Sequence, residues 1–186
     1  MNRILQQIIN NSNKYQDTLS IYNQLSEKDK LLVSPRGKFV DSPNLISREI
    51  KYVNNEPVGF SEAYKYNGKT DKAFIIVAVL DEYRGNNIAT ELIQKTVNNC
   101  FNQNYKTIIY RCDSNNTPSK NLAIKNNFSL VKKTKNQLHF ELQKPINNNY
   151  QYLYHPYYIP YNMAYTYDNN FINDTSDGDD GDGGGE

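Results

Sequence analysis

The segment VAVLDEYRGNNIATELI (77–93) holds the chain's clearest chemical potential. Its apolar run turns through Arg84, Gly85, Asn86 and Asn87 straight into a helical pattern. Such a loop leaves the first backbone N–H groups of the helix without partners and points the positive end of the helix dipole outward. An anion is stabilised there, and a pyrophosphate fits the description. The same pattern also serves crossovers in which a glycine is needed only for packing, so one Gly leaves phosphate binding and plain packing both open. Cys100 and Cys112 are too few for a disulfide framework. Neither they nor the two histidines stand at metal-ligand spacing, so no metal site is expected.

The loop needs a frame. Residues 4–9 and 15–28 place Ile4, Leu5, Ile8 and Ile9, then Tyr15, Leu19, Tyr22 and Leu25, at spacings of three and four, which predicts two amphipathic helices. ISREIKYV (46–53), PVGFSEAYKY (57–66) and AFIIVAVL (73–80) are β-branched and aromatic runs parted by Asn54-Asn55 and Asn67-Gly68, which predicts antiparallel strands joined by hairpins. The third run is apolar throughout and reads as a central strand covered on both faces. After Gly85, the residues Ile88, Ala89, Leu92, Ile93, Thr96, Val97, Cys100 and Phe101 repeat on one helical face, supported by the Glu91–Lys95 pair. YKTIIYRC (105–112) is a further strand, 118–126 a shorter helix opened by Pro118, and FSLVKKT with NQLHFELQ two closing strands. The order predicts an α/β fold around a mixed sheet.

Charge is unevenly spread. All 21 Lys and Arg lie at or before Lys144, giving residues 1–144 a net +8, whereas residues 145–186 carry 7 acids and no base. The basic body suits a polyanionic ligand. The last stretch holds eight of the sixteen Tyr before it gives way to Asp and Gly, and its acidic end cannot bury enough area to stay ordered. A disordered tail is expected. No apolar run approaches the roughly 20 residues of a membrane span, and the N-terminus lacks a secretory pattern, so a cytoplasmic protein is expected and no membrane partner.

Arg84-Gly85-Asn86-Asn87-Ile88-Ala89 resembles the acyl-CoA signature of the GNAT superfamily of N-acyltransferases, which is Gln or Arg, two residues, Gly, one residue, then Gly or Ala. The stretch from Asn116 to Phe128 is similar to that family's second signature, and the resemblance covers roughly residues 30–143. It implies a mixed, mostly antiparallel sheet flanked by helices. The N-terminal helices (1–30) would belong to the same domain as an acetyl-CoA-binding core (31–144), followed by the tail (145–186). The activity implied is N-acetyl transfer from acetyl-CoA to a primary amine in a ternary complex. By the same resemblance Arg84 and the loop N–H groups of Gly85, Asn86, Asn87, Ile88 and Ala89 would hold the pyrophosphate. The backbone of Val77, Ala78 and Val79 would bond the pantetheine arm and the thioester oxygen, and Asn116 with Ser119 would also touch that arm.

The departures have a common chemistry. Asn87 and Asn127 stand where the family prefers Gly. Asn is the other residue that tolerates positive φ, so both positions are expected in the left-handed region. Ala73 to Leu80 contains no ionisable group to serve as a base, and Ala123 takes the place of a proton-donating Tyr. Glu62, Asp113 and a Tyr from elsewhere are the remaining candidates, and His139 reads as a surface or edge residue. A CoA-binding protein acting through its tail is the rival reading. Nucleic acid is not an expected partner, since no basic-aromatic module accompanies the positive body. The acceptor and the oligomeric state stay open.

Overall fold

The computed structural model describes residues 3–34, 41–67 and 69–145. The tail, Gly68 and the side chains of residues 3–11 lie outside the described residues. In chain order the elements are α1 (Arg3–Gln24), α2 (Glu27–Val33), β1 (Leu45–Val53), β2 (Glu56–Lys65), β3 (Lys72–Val79), α3 (Ile88–Asn102), β4 (Thr107–Asp113), α4 (Thr117–Lys125), β5 (Ser129–Lys133) and β6 (Gln137–Gln143).

The six strands form one sheet in the order β1-β2-β3-β4-β6-β5. Of the neighbouring pairs only β3 and β4 run parallel, as their connection through α3 allows, while α4 carries the chain from β4 past the place of β6 to the edge strand β5. Alternation along β3 divides the core. Ala73, Ile75 and Val79 face α3 and α4 and pack with Leu92, Ile93, Val97 and Phe101. Ile76, Ala78 and Leu80 face the other way and pack with Ile21, Tyr22 and Leu25 of α1. β3 is thus the central strand its composition predicts.

The N-terminal helices differ from expectation. The two apolar patterns at 4–9 and 15–28 belong to one helix that runs unbroken to Gln24. A second begins after Ser26, whose hydroxyl accepts from the Asp29 N–H at 3.2 Å, a cap that stops α1 from running on to 28. The buried stripe of α1 includes Thr18, whose hydroxyl donates to the Lys14 carbonyl at 2.8 Å, so a polar residue sits where apolar spacing alone sees a gap.

All non-glycine residues with positive φ among the described residues are asparagines: Asn54, Asn55, Asn67, Asn87, Asn104 and Asn127. Asn54 (φ 51°) and Asn55 (φ 69°) are the two central residues of the β1–β2 hairpin, as a type I′ turn demands. Asn127 ends α4 in a Schellman motif, in which Phe128 N–H donates to the Ala123 carbonyl and Asn127 N–H to Ile124. Asn104 ends α3 the same way, with Tyr105 N–H on Cys100 and Asn104 N–H on Phe101.

Candidate active site

β3 is paired unequally on its two edges. Against β2 the ladder continues to Val79, but against β4 it holds only Lys72–Ile75 opposite Thr107–Tyr110. Beyond that rung the strands part, and a wedge opens between Ile76–Val79 and Arg111–Asp113. Leu80 N–H donates to the Val58 carbonyl of β2 at 3.0 Å, so alternation points the main chain of Ala78 toward β2 and that of Val77 and Val79 into the wedge. Two of the three predicted backbone positions therefore line the gap, and Ala78 does not. Arg84 Nε already occupies the Val79 carbonyl at 3.0 Å. Close approach of β2 supports the wedge from behind: a Cβ on Gly59 would lie 3.0 Å from the Ala78 carbonyl oxygen and 3.1 Å from the Val79 side chain.

The wedge ends at the N-terminus of α3. A short turn at Asp81–Tyr83 leads into Gly85 (φ 83°) and Asn87 (φ 60°), and the first bond of the helix runs from Glu91 N–H to the Asn87 carbonyl at 3.1 Å. Asn87 is left-handed as its sequence position predicts. Its side chain points away from the helix N–H groups, where Oδ1 accepts from Lys125 Nζ of α4 at 2.7 Å. Arg84 is placed differently from a simple phosphate ligand. Its guanidinium lies 2.8 Å from Asp81 and 3.1 Å from Asp29 of α2, so two carboxylates already balance its charge. Burial alone would raise the Asp29 carboxyl, but hydrogen bonds from Ser26 and Arg84 outweigh it and hold the group below its usual range. The loop N–H groups are the unpaired donors here, and Arg84 fixes the loop on which they sit.

Across the wedge, Asn116 caps α4 by accepting from Ser119 N–H at 3.1 Å, which commits its Oδ1 and leaves its amide N–H groups. The Ser119 hydroxyl is bonded to that of Tyr110, the last residue of β4 to pair with β3. Burial pushes the Tyr110 phenol up to about 12, so it stays protonated. Composition gives no reason to select Tyr110. The usable signal is alternation in YRCD, which puts Tyr110 on the α4 face and Arg111 on the opposite one.

A family model described as the acetyltransferase (GNAT) family matches residues 15–128, more than half of the chain. The chain belongs to the GNAT acetyltransferase family. The solved GNAT domain of S. lividans PAT superposes with a TM-score of 0.58 at 11% identity, covering 69% of this chain and 84% of that one. The Escherichia coli ribosomal-protein-S18-alanine N-acetyltransferase gives 0.50 at 12% identity, covering 59% and 76%. An N-acetyltransferase from Staphylococcus aureus Mu50 gives 0.47 at 20%, covering 50% of this chain and 65% of its own length. At these identities the first two likenesses establish a shared fold. No curated protein matches the chain.

In this GNAT fold Glu62 lies on β2 with its carboxyl fully buried. One oxygen accepts from Arg48 Nε at 2.5 Å and the other from the Tyr64 hydroxyl. Arg48 also bonds Asp41 at 2.8 Å and lies over the Tyr15 ring. Burial pushes the Glu62 carboxyl up against the pull of Tyr64 and Arg48. Both its oxygens are thus engaged within a closed network one strand away from the wedge. Asp113, by contrast, is exposed at the mouth where β4 ends. His139 lies on β6 directly across from Arg111. Burial lowers its pKa, and the nearby Arg111 and Lys132 lower it further, so its ring is neutral near pH 7. Among the described residues no three His, Cys, Asp or Glu come together as a metal site would require, and no helix is long and apolar enough to cross a membrane.

Proposed function

We propose that this chain moves an acetyl group from acetyl-CoA to a primary amine, with both substrates bound together. The observation that carries this reading is the open main-chain edge of β3, which leads directly to the unpaired N–H groups of α3. A CoA thioester has the complementary parts. Its phosphates suit the helix N-terminus, its amide-bearing arm can bond the exposed edge as an added strand would, and its carbonyl can accept from an N–H of Val77 or Val79. The amide N–H groups of Asn116 and the hydroxyl of Ser119 border the same arm.

Direct transfer is the simpler chemistry here. Ile76 to Val79 offer no side-chain nucleophile, and burial pushes the Cys112 thiol up, away from the reactive thiolate. The amine nitrogen bonds the thioester carbonyl carbon, the oxyanion collapses, and the C–S bond breaks. One proton leaves the nitrogen and one reaches the departing sulfur. Asp113, at the exposed mouth, takes the first through water. Tyr110, seated on Ser119, donates the second and is reprotonated from solvent.

The test combines binding and turnover. Saturating CoA should raise the melting temperature, and a panel of amines with acetyl-CoA should release free thiol for at least one acceptor. Tyr110→Phe should lower kcat by roughly 100-fold or more while leaving the CoA-induced shift in place. A melting temperature unmoved by CoA sinks the proposal. Stabilisation without turnover of any amine would leave a CoA-binding protein.

A further inference from the structure

The face of the sheet opposite α3 and α4 is divided between helices and an uncovered stretch. There α1 and α2 pack on β1, β2 and β3, while the neighbouring surface of β4, β6 and β5 carries a row of nitrogens. Arg111 stands directly across from His139, and His139 directly across from Lys132. Arg111 is the first residue of β4 beyond its last rung with β3, so this row begins at the wedge itself.

The environment of Arg111 is unusual for a cation. Its guanidinium lies 5.1 Å from the centre of the Tyr66 ring and 5.8 Å from that of Phe74, and one terminal nitrogen donates to the Tyr66 hydroxyl. Its Nε is buried and has no hydrogen-bond partner. A charged donor left unpaired away from water is costly, and a planar fork beside two rings and bonded to the hydroxyl of one of them is already ordered for a carboxylate. Two residues further along the same face stands Asp113, so cation and anion alternate along the strand about 7 Å apart.

We infer that the acceptor is an amine bearing its own carboxylate, of the free amino-acid type, with Arg111 receiving the carboxylate and Asp113 the ammonium group. This rests on the acetyl-transfer reading and narrows it. Polyamines and polycationic antibiotics would bring like charge to Arg111 and Lys132, whereas a zwitterion fits both ends of the Arg111–Asp113 pair. Arg111 is then a specificity-determining residue, since its guanidinium touches the acceptor but not the reacting carbonyl.

The experiment compares free L-amino acids with their amides as acceptors on the full chain. In parallel, N-acetylated amino acids and their amides are measured as ligands of the CoA complex by calorimetry. The acids should exceed the amides roughly 10- to 100-fold in kcat/KM and in affinity, the range expected of one charge-assisted pair. Arg111→Gln should bring both ratios near one, chiefly through KM, and Arg111→Lys should fall between. A purely structural role for Arg111 would lower acids and amides alike and leave the ratio intact, which overturns the assignment. Equal use of acids and amides by the wild type, or a preference for polyamines, overturns it too. If no amine is acetylated, the transfer reading falls and the acid-to-amide binding ratio still decides this one. If Arg111→Gln does not fold, the wild-type ratios and Arg111→Lys decide it.

Discussion

At residue scale, asparagine does much of the work that glycine does in other chains. The sequence shows where this happens, because Asn54-Asn55, Asn87 and Asn127 each stand at a turn or helix end that calls for positive φ. The positions decide the effect of substitution. Asn87→Gly should be nearly neutral in urea unfolding, since it relieves the left-handed backbone but gives up the exposed bond to Lys125. Asn87→Val should lose about 1–2 kcal/mol, because a β-branched residue is strained at φ 60°. An equal loss for both would mean that the Lys125 contact, and not the backbone, controls this site. The partners of Glu62 and Arg84 were not legible in the same way. Arg48 and Asp29 lie far along the chain from them, and no local spacing encodes a contact closed only by the packing of β1 on β2 or of α2 beside the loop.

At the scale of elements, apolar period and turn residues located every strand to within a residue or two, because each strand's pattern is local. That backbone near Val77 to Val79 is left free for a ligand was expected only by resemblance, since nothing in AFIIVAVL or YKTIIYRC says where their ladder stops. The helix boundary at Gln24 was also missed, as Ser26 competes with an apolar spacing that continues past it. Gly59 gives this level a direct probe. Its missing Cβ lets β2 lie against Ala78, Val79 and Leu92, so Gly59→Ala must displace the open end of β3 or the first turns of α3. Stability should fall by about 1–3 kcal/mol in urea unfolding. CoA affinity should fall with it, because the strand that moves is the one bordering the wedge. Undiminished affinity in a destabilised Gly59→Ala would show that the shift is absorbed elsewhere.

For the whole molecule, buried acids with raised pKa values set the alkaline limit. Burial raises the Cys100 thiol from 9.0 to about 12 and the Tyr110 phenol from 10.0 to about 12. Burial raises the Tyr64 phenol as well, and the neighbouring Glu62 carboxylate adds to the rise. Each group keeps its proton in the folded chain at a pH where the unfolded chain has lost it. The stabilisation is therefore complete below about pH 9 and is lost as pH rises toward about 12. Urea midpoints should stay level from about pH 7 to pH 8.5 and then fall steeply, and Cys100→Ala should soften the onset of that fall. A midpoint that holds to about pH 11 would show that these groups are less buried than their surroundings indicate. No sequence pattern carries this property, since Cys100 is marked only as one apolar position among several on α3.

The short ladder between β3 and β4 has a mechanical meaning as well. β1, β2 and β3 form one continuous antiparallel unit, β4, β6 and β5 another, and the backbone ladder between them has only four rungs. Such a seam is the natural boundary between cooperative unfolding units, and amides beside it should open at lower free energy than those within either half. A ligand bonded to both sides of the seam would then act as a splint, joining the two halves into one unit for as long as it stays bound.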